Sequence, residues 1–366
     1  MVGYRIFAKG AMSKRLVIVG MGSIGLRHAR LYSALDGLTV EVCDPRPEGL
    51  QELLTQVPGT KCWMDFQEML KSKPDYLLIA TPHYLHAEMT CAALNRGIPV
   101  LCEKPMSHRL EEAEKMAKTA EETGVPLAVG FHLRFHPSVQ RLLQMLESGE
   151  VENLLFARYC VDSLITLENS RSRYQSTLPG ALIMDYSHGM DLLFHLLQKE
   201  PSSVYARGVD GEILGFQASP ILLSGVLSYD EGLQAELHLS YTGKPEVHTL
   251  ELVSSKFRLL LELNSGNFYQ THVEDGAVTD LSVPYNRDAL YLNQWQSFQN
   301  YCDGESGTIC SFNEALKANR LMDRLLAEAT QIPAHQARPA RNGSRSGNLT
   351  SSTPLSIGKK KNPFEG

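Results

Sequence analysis

Short apolar runs alternate with amphipathic stretches along the first third of the chain. RLVIVG (15–20), TVEVCD (39–44), YLLIAT (76–81), PVLCEK (99–104) and PLAVGF (126–131) read as strands that are apolar nearly throughout. Strands buried on both faces are the mark of a parallel sheet covered by helices. The intervening segments IGLRHARLYSALDG, HAEMTCAALNRG and LEEAEKMAKTAEETG place apolar residues at helical spacing and supply those helices. This alternation predicts an α/β fold with a doubly wound parallel sheet.

Beyond about residue 150 the pattern changes. LLFARYCVD, SVYARGVDG, PILLSGVLSYDEGLQAELHLSY and VHTLELVSSKFRLLLEL are longer strand-like runs, and their DEG and SSK breaks predict hairpins. The second half is therefore an α+β region built on a large open, mainly antiparallel sheet, followed by a helix-rich return from about Asp288 to Thr330. MSKRLVIVG, starting at Met12, reads as a natural beginning, with residues 1–11 as an upstream extension. The chain thus divides into 14–132, 133–332 and a segment 333–366 rich in Arg, Ser, Gly and Pro that reads as a disordered tail.

Composition narrows the function classes. At 366 residues the chain has room for two domains, and 43% hydrophobic with 21% charged residues is an ordinary soluble balance. The net charge is −6, and the 333–366 segment carries six Lys/Arg against one Glu, so the other 332 residues carry −11. That balance gives no electrostatic reason to expect nucleic acid. Seven scattered cysteines without a C-x-x-C pair argue against a zinc site or a disulfide framework and fit a reducing compartment. No apolar run reaches membrane-span length and no signal peptide is legible, so the expected location is cytoplasmic, without a membrane partner. The sequon NLT at 348–350 has meaning only in a secreted chain.

The first strand runs into VIVGMGSIGLRHAR, where Gly20, Gly22 and Gly25 stand in G-x-G-x-x-G spacing. The motif follows a strand and opens a helix, the context that gives it meaning. The first glycine permits the tight turn, the second lets the backbone approach a pyrophosphate, and the third lets helix and strand pack closely. The helix N-terminus then offers unpaired N–H groups to the phosphates. Asp44, nineteen residues after Gly25, is placed to accept hydrogen bonds from ribose hydroxyls and to repel a 2′-phosphate, favouring NAD over NADP. Arg46 complicates that choice, and Asp44 has an alternative reading as the start of the DPRP turn. In VLCEKPM (100–106), a buried strand ends in Glu103, Lys104 and Pro105, and charges at such a place are costly unless something pairs with them.

Taken together, GMGSIGLRH, IATPHYLHAEMTCAALNRGIPVLCEKPM, GFHLRFHP, PGALIMDYSHGMDLLFHLL, RDALYLNQWQSFQNYCDGE and FNEALKANRLMDRL resemble the Gfo/Idh/MocA oxidoreductases. That family is named for glucose–fructose oxidoreductase, inositol dehydrogenase and a rhizopine catabolism protein, and the resemblance runs from residue 15 to 330. It implies a Rossmann domain over 14–132 and a substrate-binding and oligomerisation domain over 133–332. It also implies hydride transfer between NAD (or NADP) and a secondary alcohol or ketone of a sugar, cyclitol or nucleotide sugar. Cofactor contacts would come from Gly20, Gly22, Ser23, Ile24, Gly25, Asp44, Thr81, Pro82, His86, Glu103 and Lys104.

The resemblance places Lys104 beside the nicotinamide and the reacting hydroxyl. It makes His188 the second catalytic group, with Asp185 and Asp191 at i−3 and i+3 on one helical face. A carboxylate one turn from an imidazole can hold its tautomer. In the inositol dehydrogenase pattern the aspartate lies four residues before the histidine, where this chain has Met184. The D-x-S-H-x-x-D spacing instead resembles the surface-polysaccharide and nucleotide-sugar branch. Arg171 and Tyr174 resemble that branch's R-x-x-Y segment and read either as substrate contacts, with Asp191, or as solvated loop residues. Arg134 and His136 fall at the domain junction, in a structural or a substrate role. His28, His195 and His238 show no metal-ligand spacing, and no metal is expected.

A homodimer or homotetramer through the antiparallel sheet is expected, because a Leu- and Val-rich face needs covering. The competing readings are a non-catalytic NAD(P)-sensing regulator on the same fold, an NADP-linked diol or carbonyl reductase, and NAD-dependent glycoside cleavage.

Overall fold

The computed structural model describes residues 13–170 and 173–330. The 1–11 extension, Arg171 and the 333–366 tail lie outside the described residues. Six parallel strands form the first sheet: β1 (Lys14–Val19), β2 (Leu38–Cys43), β3 (Lys61–Trp63), β4 (Tyr76–Ile79), β5 (Val100–Cys102) and β6 (Leu127–Val129). A helix follows each of the first five: α1 (Ser23–Tyr32), α2 (Pro47–Gln56), α3 (Phe66–Lys71), α4 (His86–Leu94) and α5 (Leu110–Thr123). Local chemistry sets their ends. Pro47 occupies the first turn of α2, Asp65 accepts from the Glu68 N–H at 2.8 Å to cap α3, and Gly124 closes α5 at φ +65°. Leu16, Val17 and Ile18 of β1 are wholly buried, as a strand covered on both faces must be. The spatial order β3-β2-β1-β4-β5-β6 reverses direction between β1 and β4. A crevice opens there beyond the carboxyl ends of the strands.

After α6 (Pro137–Glu147) comes β7 (Leu154–Asp162), then three helices, α7 (Ile165–Glu168), α8 (Ala181–Asp185) and α9 (His188–Leu197). Seven more strands complete an eight-stranded sheet: β8 (Ser203–Ile213), β9 (Phe216–Ser228), β10 (Gln234–Ser240), β11 (Val247–Ser254), β12 (Phe257–Glu262), β13 (Phe268–His272) and β14 (Val278–Asp280). Their order is β14-β13-β12-β11-β7-β10-β9-β8, antiparallel except for the β7–β10 pair. Both expected hairpins form, β9–β10 around DEG and β11–β12 around SSK. A further hairpin joins β8 to β9 through Leu214 and Gly215, both at positive φ, a turn the apolar pattern did not announce.

Ala157, Tyr159 and Val161 of β7 and Ala235, Leu237 and Leu239 of β10 turn inward, β7 lying against α9 and β10 against α8. The approach is close: a Cβ on Gly189 would lie 2.4 Å from the Tyr159 ring. Finally α10 (Arg287–Cys302) leads to β15 (Cys310–Ser311) and α11 (Phe312–Thr330). β15 pairs antiparallel with β6, so the end of the described chain returns to the parallel sheet. Among the described residues no helix is long and apolar enough to cross a membrane.

Two features correct the sequence expectations. Asp185, His188 and Asp191 do not share one helix. α8 ends at Asp185, and α9 begins at His188 after Tyr186 leaves helical geometry at φ −102°, ψ 25°. Asp191 is also not a substrate contact: its carboxylate is 1% exposed and takes up the Arg134 guanidinium, from Nε at 3.0 Å and from the terminal nitrogen at 2.6 Å. Arg134, 1% exposed in the short turn His132–Phe135, also donates to Glu314 of α11 at 2.8 Å. Burying a guanidinium requires such partners, and this one ties the turn after β6 to α9 and α11. Removing one partner leaves the other charge buried alone. Asp191→Ala should therefore cost about 3–5 kcal/mol, and an Arg134→Met/Asp191→Leu double variant should regain most of it. Urea unfolding of the three chains checks this, and equal losses in the single and double variants would contradict it.

Candidate active site

At the carboxyl end of β1, the glycine motif forms a cradle. Gly20 sits at φ +94°, where a Cβ would lie 2.6 Å from the Ala80 carbonyl oxygen, and a Cβ on Gly25 would lie 1.8 Å from the Gly20 oxygen. These two glycines serve close backbone packing. Gly22 is different: it is exposed, and a Cβ there would meet nothing within 4 Å. Gly22 caps α1 without a side-chain hydrogen bond, and Ser23 is exposed in the first turn with Ile24 half-buried beside it. Open space over an uncapped helix N-terminus fits a pyrophosphate. The Thr81 hydroxyl, past the end of β4, is buried without a partner and fits a further polar contact from a dinucleotide. Pro82 follows it, exposed.

Asp44, just past β2, is 1% exposed and accepts from the Met21 N–H at 2.7 Å, tying the glycine turn to β2. Arg46 covers its other face, donating from its main-chain N–H at 2.9 Å and from two guanidinium nitrogens at 3.0 Å. Burial alone would raise the Asp44 pKa, but these donors outweigh it and hold the carboxyl below its usual range. The carboxylate is therefore charged, and its screen is an exposed arginine.

The end of β5 answers the charge question at VLCEKPM. Glu103 is buried against Gly130, and His28 of α1 donates from Nε2 to its Oε1 at 2.7 Å. Burial pushes the Glu103 carboxyl up, while the bond and charge of His28 more than offset this and lower it. On its other nitrogen His28 meets the Tyr32 hydroxyl at 2.9 Å, and Tyr32 donates to the Tyr291 carbonyl of α10 at 3.0 Å. Lys104 is half-buried and precedes a cis bond to Pro105. Its Nζ donates to the main-chain oxygen of Asp185 at 2.8 Å. Burial lowers the Lys104 pKa, against the upward pull of Asp185 and Glu103. His86, expected at the cofactor, is wholly buried, with its nitrogens 3.0 Å from the Pro105 oxygen and 2.9 Å from the Thr81 oxygen. Burial favours the neutral ring, which donates from one nitrogen only, so one of these two contacts is the hydrogen bond that braces the strand ends.

Asp185 does not hold the tautomer of His188. Its carboxylate accepts from the hydroxyls of Tyr174 and Tyr241 and from Gln175 Nε2 at 3.2 Å. Neither ring nitrogen of His188, which is 7% exposed, has a hydrogen-bond partner. His132 stands edge-on to it, with ring centroids 4.6 Å apart, and stacks on Tyr291 at 4.6 Å. Burial pushes the pKa of His188 well down and that of His132 to about 3, so both rings are neutral at neutral pH. Buried imidazole nitrogens without partners are groups that a hydroxyl-bearing ligand reaching them would satisfy.

The structure thus brings Lys104, Asp185, His188 and Tyr174 together at the strand ends, while the polar atoms of Asp191 and His86 face the protein's own groups. His83, Gln175, Tyr241 and Tyr291 also belong to this group, and nothing in the sequence singled them out. Tyr241, 56 residues from Asp185, follows β10 and carries no motif. His132, inside GFHLRFHP, had a signal only in its place at the end of β6. Among the described residues no group of three or more His, Cys, Asp or Glu could hold a metal ion.

Residues 14–131 match the model of an oxidoreductase family described by its NAD-binding Rossmann fold. The D-glucoside 3-dehydrogenase of Escherichia coli is 36% identical over 147 residues, covering 38% of this chain and 42% of that protein. The rhizopine catabolism protein MocA of Rhizobium meliloti is 31% identical over 191 residues, 52% and 59% of the two chains. The chain spans about half the length of the curated relatives it matches. A solved UDP-N-acetylglucosamine 3-dehydrogenase from Acidithiobacillus ferrooxidans superposes with a TM-score of 0.74 over 88% of this chain and 99% of that one. At 20% identity that likeness concerns the fold.

The open space at Gly22 has a measurable consequence. Gly22→Val should leave stability within about 1 kcal/mol, because the side chain meets nothing in the protein. It should weaken NADH binding by roughly tenfold or more, because the branched side chain stands where a pyrophosphate approaches. Thermal melts and NADH fluorescence titration read the two effects separately, and unchanged binding would remove Gly22 from the cradle.

Proposed function

We propose that the chain is an oxidoreductase of the Gfo/Idh/MocA type, a reading supported by the match of residues 14–131 to that family's NAD-binding Rossmann fold, and that it oxidises a secondary alcohol of a sugar or nucleotide sugar, or reduces the matching ketone. The observation that carries this reading is the meeting of Lys104 Nζ with the Asp185 carbonyl in the cleft where His188 keeps two unsatisfied nitrogens. A bound nicotinamide supplies the hydride acceptor or donor, chemistry no side chain provides.

The protein's part is to hold the carbinol and move its proton. Lys104, with its pKa lowered by burial, takes the hydroxyl proton in the direction of oxidation. His188, neutral and buried, hydrogen-bonds the same hydroxyl and orients its carbon. Glu103, held by His28, fixes the strand end from which Lys104 projects. Asp44 favours NAD, since its charge opposes a 2′-phosphate once Arg46 swings aside for the ribose. The parallel sheet serves the cofactor and the residues after 132 the substrate. The sugar class rests on the glucoside and UDP-sugar specificities carried in the names of the relatives above.

Lys104→Ala should lower kcat by about 10²- to 10⁴-fold without loss of fold. The assay follows NADH formation at 340 nm with glucosides and UDP-sugars, running NAD and NADP in parallel. Turnover in the variant near that of the parent would sink the role of Lys104. A parent that binds NADH but transfers hydride to no sugar would favour the sensing regulator.

We further propose a homodimer or homotetramer through the outer face of the eight-stranded sheet. That face carries Tyr205, Val209 and Val226, which are 53%, 55% and 41% exposed. Beside them an ion-pair ladder runs from Glu236 through Arg158 and Glu251 to Arg258. Apolar side chains at the rim of a charged ladder suit a self-complementary contact. Light scattering after gel filtration should give a multiple of 40.7 kDa, and Val226→Glu, on the strand next to the sheet edge, should shift the mass toward the monomer. A monomeric parent would refute the contact.

A further inference from the structure

The break between α8 and α9 exposes a main-chain oxygen. In an unbroken helix the Asp185 carbonyl would accept from the Gly189 N–H, four residues on. Here Gly189 donates instead to Tyr186, at 3.1 Å. The Asp185 oxygen is left at a helix end, where an orphan carbonyl must find another donor, and Lys104 Nζ takes it at 2.8 Å. The side chain of the same residue points elsewhere. Tyr174 donates to Oδ1, while Tyr241 at 2.5 Å and Gln175 at 3.2 Å donate to Oδ2. These donors come from two separate segments, the short turn Tyr174–Ser176 and the residue after β10.

We propose that Tyr241 and Tyr174 are positioning residues for Lys104: by occupying both carboxylate oxygens of Asp185, they fix the peptide whose carbonyl receives the ammonium and keep the carboxylate off it. The inference rests on the reading in which Lys104 handles the substrate proton, and it adds what sets the proton affinity of that lysine.

The electrostatic consequence has a definite sign. Lys104 faces Glu103 on its own strand end, Asp185 after α8, Arg287 at the start of α10, and the imidazoles of His83, His132 and His188. Burial lowers its pKa, Asp185 and Glu103 raise it, and Arg287 lowers it. Tyrosine hydroxyls donating to Asp185 spread the carboxylate charge and hold it away from the ammonium. Removing a hydroxyl concentrates that charge and frees it to turn toward Lys104, which raises the lysine pKa. Removing the charge itself lowers it.

The test uses the full chain and three variants, Tyr241→Phe, Tyr174→Phe and Asp185→Asn. Competitive acetylation of Lys104 across pH, read by peptide mass spectrometry, gives its titration midpoint without any substrate. The midpoint should rise by about half a unit to one unit in each phenylalanine variant and fall in Asp185→Asn. With a turned-over sugar, the acid limb of kcat/KM should move the same way, and kcat should drop roughly tenfold with KM within about twofold. A lost hydroxyl with a merely structural role would lower activity without moving the midpoint or the limb. Unmoved midpoints in the folded phenylalanine variants overturn the proposal, and Tyr174→Phe alone decides it if Tyr241→Phe does not fold. If no sugar is turned over while the midpoints shift as stated, the positioning stands and the reading of the reaction falls.

Discussion

A guanidinium buried to 1% exposure needs its charge answered on every side, and Arg134 is answered by Asp191 from α9 and Glu314 from α11. Because an unpaired charge in that place would cost several kcal/mol, the two helices and the turn after β6 have little freedom to move apart. That constraint places His132 two residues before Arg134 and His188 three residues before Asp191, so the two imidazoles come face to edge. It also brings the last described helix back against the parallel sheet, where Cys310 pairs with Val129. The candidate site is thus mounted on a buried ion pair that takes no part in its chemistry.

The cleft itself depends on a helix that stops. Had the segment from Ala181 to Leu197 run on unbroken, the Asp185 carbonyl would have been spent inside the helix, and Lys104 would face a carboxylate or nothing. Just past the break, only a residue without a side chain at Gly189 lets α9 start so close to the Tyr159 ring. The lysine is then held by a neutral acceptor, which orients the ammonium without the full stabilisation a carboxylate would add to its charged form. Arranged this way, a lysine can be both fixed in place and ready to lose its proton.

A chain of buried contacts joins the nucleotide cradle to the same cleft. His28 lies on the helix opened by the glycine motif and holds Glu103, and through Tyr32 it reaches the Tyr291 carbonyl of α10. Tyr291 in turn stacks on His132. The helix that would carry the phosphates at its start therefore braces the strand end bearing Lys104 one turn further on. At the far end of the cradle, Asp44 is shared between the Met21 N–H and the Arg46 fork, so ribose recognition would exchange one set of donors for another.

Local pattern alone determined a good deal. Continuous apolar strands alternating with amphipathic helices specify the parallel sheet, since both depend on residues a few positions apart. The G-x-G-x-x-G turn and the hairpins at DEG and SSK are local for the same reason. Lys104 and His188 could be nominated because each sits in a compact motif. The roles of Asp191, His86 and Tyr241 were not, because each depends on partners far along the chain: Arg134 is 57 residues from Asp191, and Tyr241 is 56 from Asp185. Spacing predicted one face for Asp185, His188 and Asp191, and the departure of Tyr186 from helical geometry divided them between α8 and α9. The sequence by itself determined the parallel sheet, the glycine turn and roughly where each strand ends, and it nominated the residues of the candidate site. Only the tertiary structure decided which polar groups were left free for a ligand, because burial and pairing are settled by contacts between distant segments.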